Sequence, residues 1–358
     1  MYVHDAIAVL FILEKQKGSD SMGGNCLKIA KTRRFEAAEF HPLVREISEI
    51  FYDETNINLD VIKSYRNKES FGDADFLVTW DDKDEPIALI QAVFDPVEIV
   101  RNGPVTSFDY KELQVDLIHA PILERVFSRY YYAWNDCGNF IGRTAHRIGF
   151  KFGHNGLWYR FYDPEDATHL VKEILVTRDF YDALEFLGFD GSIFEQGFDT
   201  PEQIFEFVAS SEWFDPRQFL LANRASEGRK RDRTRKMYTK MLEWIMQEHP
   251  HLSEDEPPLK TDKAMHLQRA FFMFPDFATD YQKANTELQI LKAFKANFNG
   301  DNYSKWFGIE GKALGSLMRK HKEYFEKNNL TQWVSTLSVP SFKTVALTLE
   351  EHEFNDQQ

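Results

Sequence analysis

The chain has 358 residues, 43 % hydrophobic, 15 % aromatic and 28 % charged. That length and mix can bury cores for two or three domains and exclude a disordered chain, a collagen-like repeat or a membrane bundle. Its 43 basic and 57 acidic residues leave a net charge of −14, which as an average argues against a nucleic-acid binder.

In chain order, residues 6–13 form a short apolar run with no basic stretch before it, expected as a strand and not a signal peptide. Residues 17–24 are loose and glycine-rich. Leu43, Ile47, Ile50 and Phe51 fall at helical spacing and predict a helix over 42–54. Residues 76–80, 87–94 and 113–118 read as strands separated by acidic or Gly/Pro turns. A helix over 136–150, a strand over 157–162 and helices over 177–187 and 201–213 follow, the last opened by Thr200 as N-cap with Pro201 after it.

From residue 218 the strand signal fades, and helices are expected over 218–249, 262–272, 277–298 and 311–327, with 250–258 as a linker. Residues 224–240 carry eight Arg or Lys against Glu227 and Asp232, a stripe of one sign on an acidic background. On one continuous helix, Arg224, Arg231 and Arg235 share a broad face, with Lys240 at its edge. The expected fold class is α+β: a mixed sheet with flanking helices, followed by an all-helical domain.

The stretch 63–78, Lys-Ser-Tyr-Arg-Asn-Lys-Glu-Ser-Phe-Gly-Asp-Ala-Asp-Phe-Leu-Val, carries the chemistry. Asp73 and Asp75 stand two apart at the start of a strand, so both point to one face. Asp116 sits inside the apolar strand 113–118, which is costly unless it is paired or bound to a cation. Three carboxylates brought together raise one another's pKa unless a cation joins them. A pair of Mg²⁺ (or Mn²⁺) ions fits that need and serves an in-line phosphoryl displacement. Gly72 lets backbone amides approach phosphates closely. The cysteines, Cys26 and Cys137, are too few for a disulfide framework or a four-ligand zinc site, so a reducing, cytoplasmic setting without a membrane is expected. Cys137 reads as a packing residue, and His119, His146 and His154 as hydrogen-bonded fold residues.

Ser64-Tyr65-Arg66, Glu69-Ser70 and Gly72-Asp73-Ala74-Asp75 before an apolar strand resemble the palm signature of the family X DNA polymerases, in the DNA polymerase β-like nucleotidyltransferase superfamily. The stretch from Tyr131-Tyr132 through Asp136, Asn139, Arg143 and His146 to Gly149-Phe150 resembles that family's nucleotide-pocket block. Ala133-Trp134-Asn135 stands where the family has Thr-Gly-Ser. Residues 200–207 resemble its thumb helix, so the likeness spans roughly residues 60–215.

The resemblance implies Asp73, Asp75 and Asp116 as metal ligands, with Asp116 nearest the attacking hydroxyl. It implies Ser64, Arg66 and Gly72 at the triphosphate, Tyr131 and Tyr132 near the sugar, Asp136 and Asn139 at the base, and Arg143 on the nucleic acid. Residues 307–320 bear a weaker resemblance to a Gly-rich turn and helix in CCA-adding enzymes and bacterial poly(A) polymerases.

The implied domains are 1–58, an N-terminal strand and helix; 59–217, the palm and a thumb-like region; 218–335, a helical nucleic-acid-binding domain; and 336–358, a tail. About 60 residues precede the palm, and none resembles the family's lyase or helix-hairpin-helix modules. The expected activity is transfer of nucleotides from NTP or dNTP to a nucleic-acid 3′ end, terminal or RNA-directed. The alternatives are a reduced family X-like templated polymerase, or a transferase that places a nucleotide on a protein or small molecule.

Overall fold

The structure is a computed structural model, described here for residues 13–14, 26–80 and 85–351. It is mixed α/β, with a mixed sheet and a helical C-terminal region. The strands are β1 (Leu13–Glu14), β2 (Phe35–Glu36), β3 (Asp60–Val61), β4 (Ser70–Phe71), β5 (Asp73–Val78), β6 (Ile99–Asn102), β7 (Val105–Tyr110), β8 (Leu113–His119), β9 (Phe150–Gly153), β10 (Gly156–Asp163) and β11 (Asp166–Thr177). The main sheet has the order β1-β6-β7-β8-β5-β3, with β5 and β8 parallel neighbours near its middle. The strand expected over 6–13 lies mostly outside the described residues.

One face of this sheet packs Ala74, Phe76, Val78, Val115 and Leu117 into a core with helix α1 (Ala37–Thr55). Phe40, Leu43, Val44, Ile47 and Phe51 form the buried stripe of α1. Because that stripe begins at Phe40, the helix starts five residues before the expected boundary, with Pro42 accommodated inside it. The other face carries Leu77, Val105 and Ile118, with Tyr132 packed against them.

Residues 87–94 are not a strand but most of helix α2 (Glu85–Phe94). A continuous apolar run satisfies either period. Burial decides it here: Ile90 and Phe94 are buried at helical spacing, while Ala88 and Ala92 are exposed. The strand at residues 113–118 is found as β8, and residues 157–162 lie in β10. Helices α3 (Arg125–Tyr132), α4 (Cys137–Arg147), α5 (Phe180–Phe186), α6 (Gly191–Gln196) and α7 (Pro201–Ala209) follow. The Thr200 side chain accepts the Gln203 N–H, as its N-cap position requires.

The helix expected over 218–249 is broken. Short 3₁₀ turns at Pro216–Phe219 and Leu221–Asn223 lead to α8 (Ser226–Asp232) and, after a break at residues 233–235, to α9 (Lys236–Glu248). Helices α10 (Lys263–Met273), α11 (Pro275–Asn297) and α13 (Gly311–Lys327) agree with expectation; between the last two lies α12 (Gly300–Phe307). Of the tail expected over 336–358, the described residues, up to 351, are not simply a tail. After α14 (Thr331–Ser335), helix α15 (Val339–Leu349) places Phe342, Ala346 and Leu349 in a core at helical spacing.

The chain divides into two compact units. One holds the described residues up to Tyr159 together with Leu175–Phe274; the other holds Arg160–Ile174 and the described residues from Pro275 onward. In the helical region the division falls at residues 274–275. In the second unit, Phe294, Tyr303, Phe325 and Phe342 centre the core. His321 is buried there between the Tyr303 hydroxyl and Glu350, each at 3.1 Å. Gly308 ends α12 in the left-handed region, and Gly311, also at positive φ, opens α13. No helix among the described residues is long and apolar enough to cross a membrane.

Candidate active site

The registered pairing of β5 with β8 sets Asp75 directly opposite Asp116 and Asp73 opposite Gln114. With a period of two, all four side chains share one face of the sheet. Carboxylate oxygens of Asp73, Asp75 and Asp116 lie within 4.8 Å of one another. The amide of Gln114 donates to both oxygens of Asp116, at 3.0 and 3.1 Å, while its own oxygen accepts the Cys26 N–H. Ser107, opposite Asp116 on β7, hydrogen-bonds it as well.

Burial, reinforced by the charges of Asp73 and Asp116, holds the Asp75 carboxyl well above the usual carboxylate range. Burial, and then Asp73, pushes Asp116 up to about 7 against the opposing hydrogen bonds of Ser107 and Gln114. Three such groups cannot all ionise at this separation without a cation. The donor set is entirely carboxylate oxygen, which suits a hard divalent ion such as Mg²⁺ or Mn²⁺. The residues present therefore fit the expected metal.

Lys68 is a site residue that the sequence reading missed. Burial lowers its pKa while the charges of Asp73 and Asp75 oppose that shift, and its ammonium donates to Ser64 Oγ at 3.4 Å. Its only sequence signal was a basic residue five before Asp73, in a stretch already rich in charge. Gln114 and Ser107 were missed too, because neither stands out until strand register brings it to Asp116.

A cleft of about 1400 Å³ opens over this face. Ser64, Arg66, Gly72, Asp73, Asp75, Tyr131, Tyr132, Asp136, Asn139, Arg231 and Arg235 all line it. Asp116, only 4 % exposed, lies beneath. The Arg66 guanidinium is tied to Asp199 at 2.5 Å and to the Gln196 carbonyl. Tyr131 and Tyr132 end α3 and meet edge to face, and Tyr132 stacks on His154. Burial raises the pKa of both phenols. Asp136 accepts from Asn139 at 3.2 Å and from Arg235 at 2.9 Å. Cys137 is fully buried, and its thiol pKa is raised by that burial, so it packs and does not attack.

The link from α3 to α4 turns without glycine. Trp134 and Asn135 both adopt left-handed backbone, at φ 61° and 60°. The Trp134 N–H donates to the Lys63 carbonyl at 2.6 Å, which anchors the bend to the segment leading into Ser64. The Trp134 ring in turn needs Gly197, where a Cβ would come within 2.5 Å of it. Gly138 is required for a similar reason: a Cβ there would lie 2.2 Å from the Tyr131 carbonyl oxygen.

The basic run is not one solvated face. Asp232, buried at the end of α8, accepts from Arg224 at 2.8 Å, Arg143 at 3.3 Å and Arg231 at 3.4 Å. Arg235 is paired with Asp136. The break between α8 and α9, at residues 233–235, comes directly after this convergence. The expected uninterrupted stripe is therefore replaced by a cluster. Arg143 and Arg224 line a separate cavity and not the cleft.

No protein-family model matches this chain, and no curated protein does. Among solved structures, the chain is similar to a Leishmania infantum polymerase beta in a ternary P/T complex. The two share 14 % identity at a TM-score of 0.32, over 44 % of this chain and 73 % of that one. A superposition this loose transfers no residue roles, and the site stands on the geometry above.

Proposed function

We propose that the chain is a metal-dependent nucleotidyltransferase that moves a nucleotide from NTP or dNTP onto a nucleic-acid 3′ end, without a template or directed by RNA. One observation carries this reading: three carboxylates from paired strands converge within 4.8 Å at the floor of an open cleft. Asp73, Asp75 and Asp116 would hold two Mg²⁺ or Mn²⁺ ions, which neutralise phosphate charge and acidify the attacking hydroxyl.

The remaining steps fall to the chain itself. Lys68 and Ser64, beside Gly72, bind and orient the triphosphate. Asp116, held by Gln114 and Ser107, takes the proton of the acceptor hydroxyl as that oxygen bonds to the α-phosphorus. The bond from this phosphorus to its bridging oxygen breaks, and pyrophosphate leaves. Tyr131 and Tyr132 wall the sugar, and Asn139 with Asp136 faces the base. Arg231 and Arg235 at the cleft edge, and Arg143 and Arg224 behind Asp232, serve the nucleic acid.

A second reading, transfer to a protein or small molecule, is favoured by the internal pairing of those arginines, which leaves less free charge for a strand. An assay panel separates the two. Purified protein with Mg²⁺ or Mn²⁺ receives each labelled NTP and dNTP with single-stranded RNA, tRNA, single-stranded DNA or primed duplex. Extension of single-stranded RNA, tRNA or single-stranded DNA supports the leading reading, and extension of primed duplex alone replaces it with a templated polymerase. Label on the protein or a small acceptor alone replaces it, and no metal-dependent transfer to any acceptor ends both.

A further inference from the structure

Beyond Asp136 and Asn139, the following turns of α4 carry Arg143, His146 and Arg147. These three line a second cavity of about 390 Å³ with Arg224, Lys260 and Lys263. Five of its lining residues are Arg or Lys, and none is Asp or Glu. Arg143 and Arg147 stand four apart on one helix, where like charges repel. Their side chains are only 14 % and 13 % exposed.

Two buried carboxylates outside the lining serve these guanidiniums. Asp232 takes Arg143, Arg224 and Arg231; Asp215 takes Arg217 at 3.2 Å and lies 3.8 Å from Arg147 Nε. These five guanidiniums lean on two buried carboxylates, and Glu256, partly exposed, gives Arg217 a further counter-charge at 2.7 Å. Among the described residues, the buried Nε atoms of Arg143 and Arg147 have no hydrogen-bond acceptor. The rim of the cavity is held in place. The Leu259 N–H donates to Asp215 at 2.8 Å, and the Lys263 stem lies where a Cβ on Gly149 would touch it at 3.4 Å.

We propose that this cavity is a phosphate-binding site, separate from the carboxylate cleft, for a phosphate group free in solution or carried on a nucleotide chain. Guanidinium forks match phosphate oxygens in pairs, and arginine keeps its charge when buried. The volume lies within the range of about 300–1,000 Å³ usual for small-ligand sites. The proposal does not depend on catalysis in the cleft.

The test is calorimetric titration with inorganic phosphate, then with a short single-stranded oligonucleotide. It uses wild type, the double variant Lys260→Glu/Lys263→Glu, Arg147→Gln and, as a control that lines neither cavity, Lys312→Glu. Lys260, Lys263 and Lys312 are exposed, so these variants keep the fold, which their melting temperatures check. Phosphate affinity is expected to fall about tenfold or more in the double variant and in Arg147→Gln, and to stay unchanged in Lys312→Glu. Competition between phosphate and the oligonucleotide assigns the site to chain phosphates, and its absence assigns it to a free anion. No phosphate binding by wild type, or equal affinity in wild type, the double variant and Arg147→Gln, overturns the proposal.

Discussion

The floor of the cleft and the inner face of α4 are both places where like charges are buried together, and they resolve the conflict in opposite ways. At Asp73, Asp75 and Asp116 the surplus is negative, and carboxylates can give up charge by taking protons. Asp75 and Asp116 accordingly sit above their usual range. Around Asp232 the surplus is positive, and guanidinium groups cannot give up theirs. Arg143, Arg224 and Arg231 instead share one carboxylate. The cleft is therefore a site whose charge changes with pH and cation, while the arginine cluster is a permanent fixture.

The strongest way to break this comparison is at the cleft. Asp75→Asn should cut nucleotide transfer by about 10³-fold or more, because a ligand and its charge stabilisation are lost. The metal-free variant should melt no lower than wild type, since a buried charge conflict has been relieved. Full turnover in Asp75→Asn would remove the metal site from the account.

The opposite response is expected at the arginine cluster. Asp232→Asn leaves three guanidiniums without their counter-charge and should cost about 3–5 kcal/mol in urea unfolding. A loss below about 1 kcal/mol would mean that solvent, and not Asp232, balances them.

A finer test uses pH. Asp116 is raised from 3.8 to about 7 in the folded chain, so the folded state holds the extra proton between those values. Stability of the metal-free protein from this group is then full at low pH and is lost as pH rises toward about 7. In the proposed metal site, Mg²⁺ would compete with that proton. Its gain in melting temperature should be larger near pH 8 than near pH 5.5, and an equal gain at both would show that no ligand titrates in this range.

Much of the cleft was legible because its signals are local. Asp73 and Asp75 are two apart beside a glycine, and Asp116 is the one acid in a mostly apolar strand. The shared face of Asp73 and Asp75 follows from the period of a strand alone. The supporting residues were not legible, because Gln114, Ser107 and Lys68 acquire their roles only through register and burial. Asp232 was misjudged for a similar reason. In sequence it is one acid diluted by eight basic residues, yet in the fold it gathers three arginines, one of them from α4. The stretch 87–94 failed differently: seven apolar residues around Gln91 fit either period, and only their neighbours decide.

The β10–β11 hairpin has a consequence for the order in which the protein is made. It begins and ends in the first unit, but its outer part, Arg160–Ile174, belongs to the second. Phe161 packs against Tyr281, and Asp163 is paired with Lys292, both partners lying on α11. A ribosome adding ~5–20 residues per second needs roughly 6–24 s to pass from Phe161 to Tyr281. Until then the hairpin tip has emerged without its partners. A chain cut after Phe274 would keep Arg160–Ile174 and lose Tyr281 and Lys292, on which that tip packs.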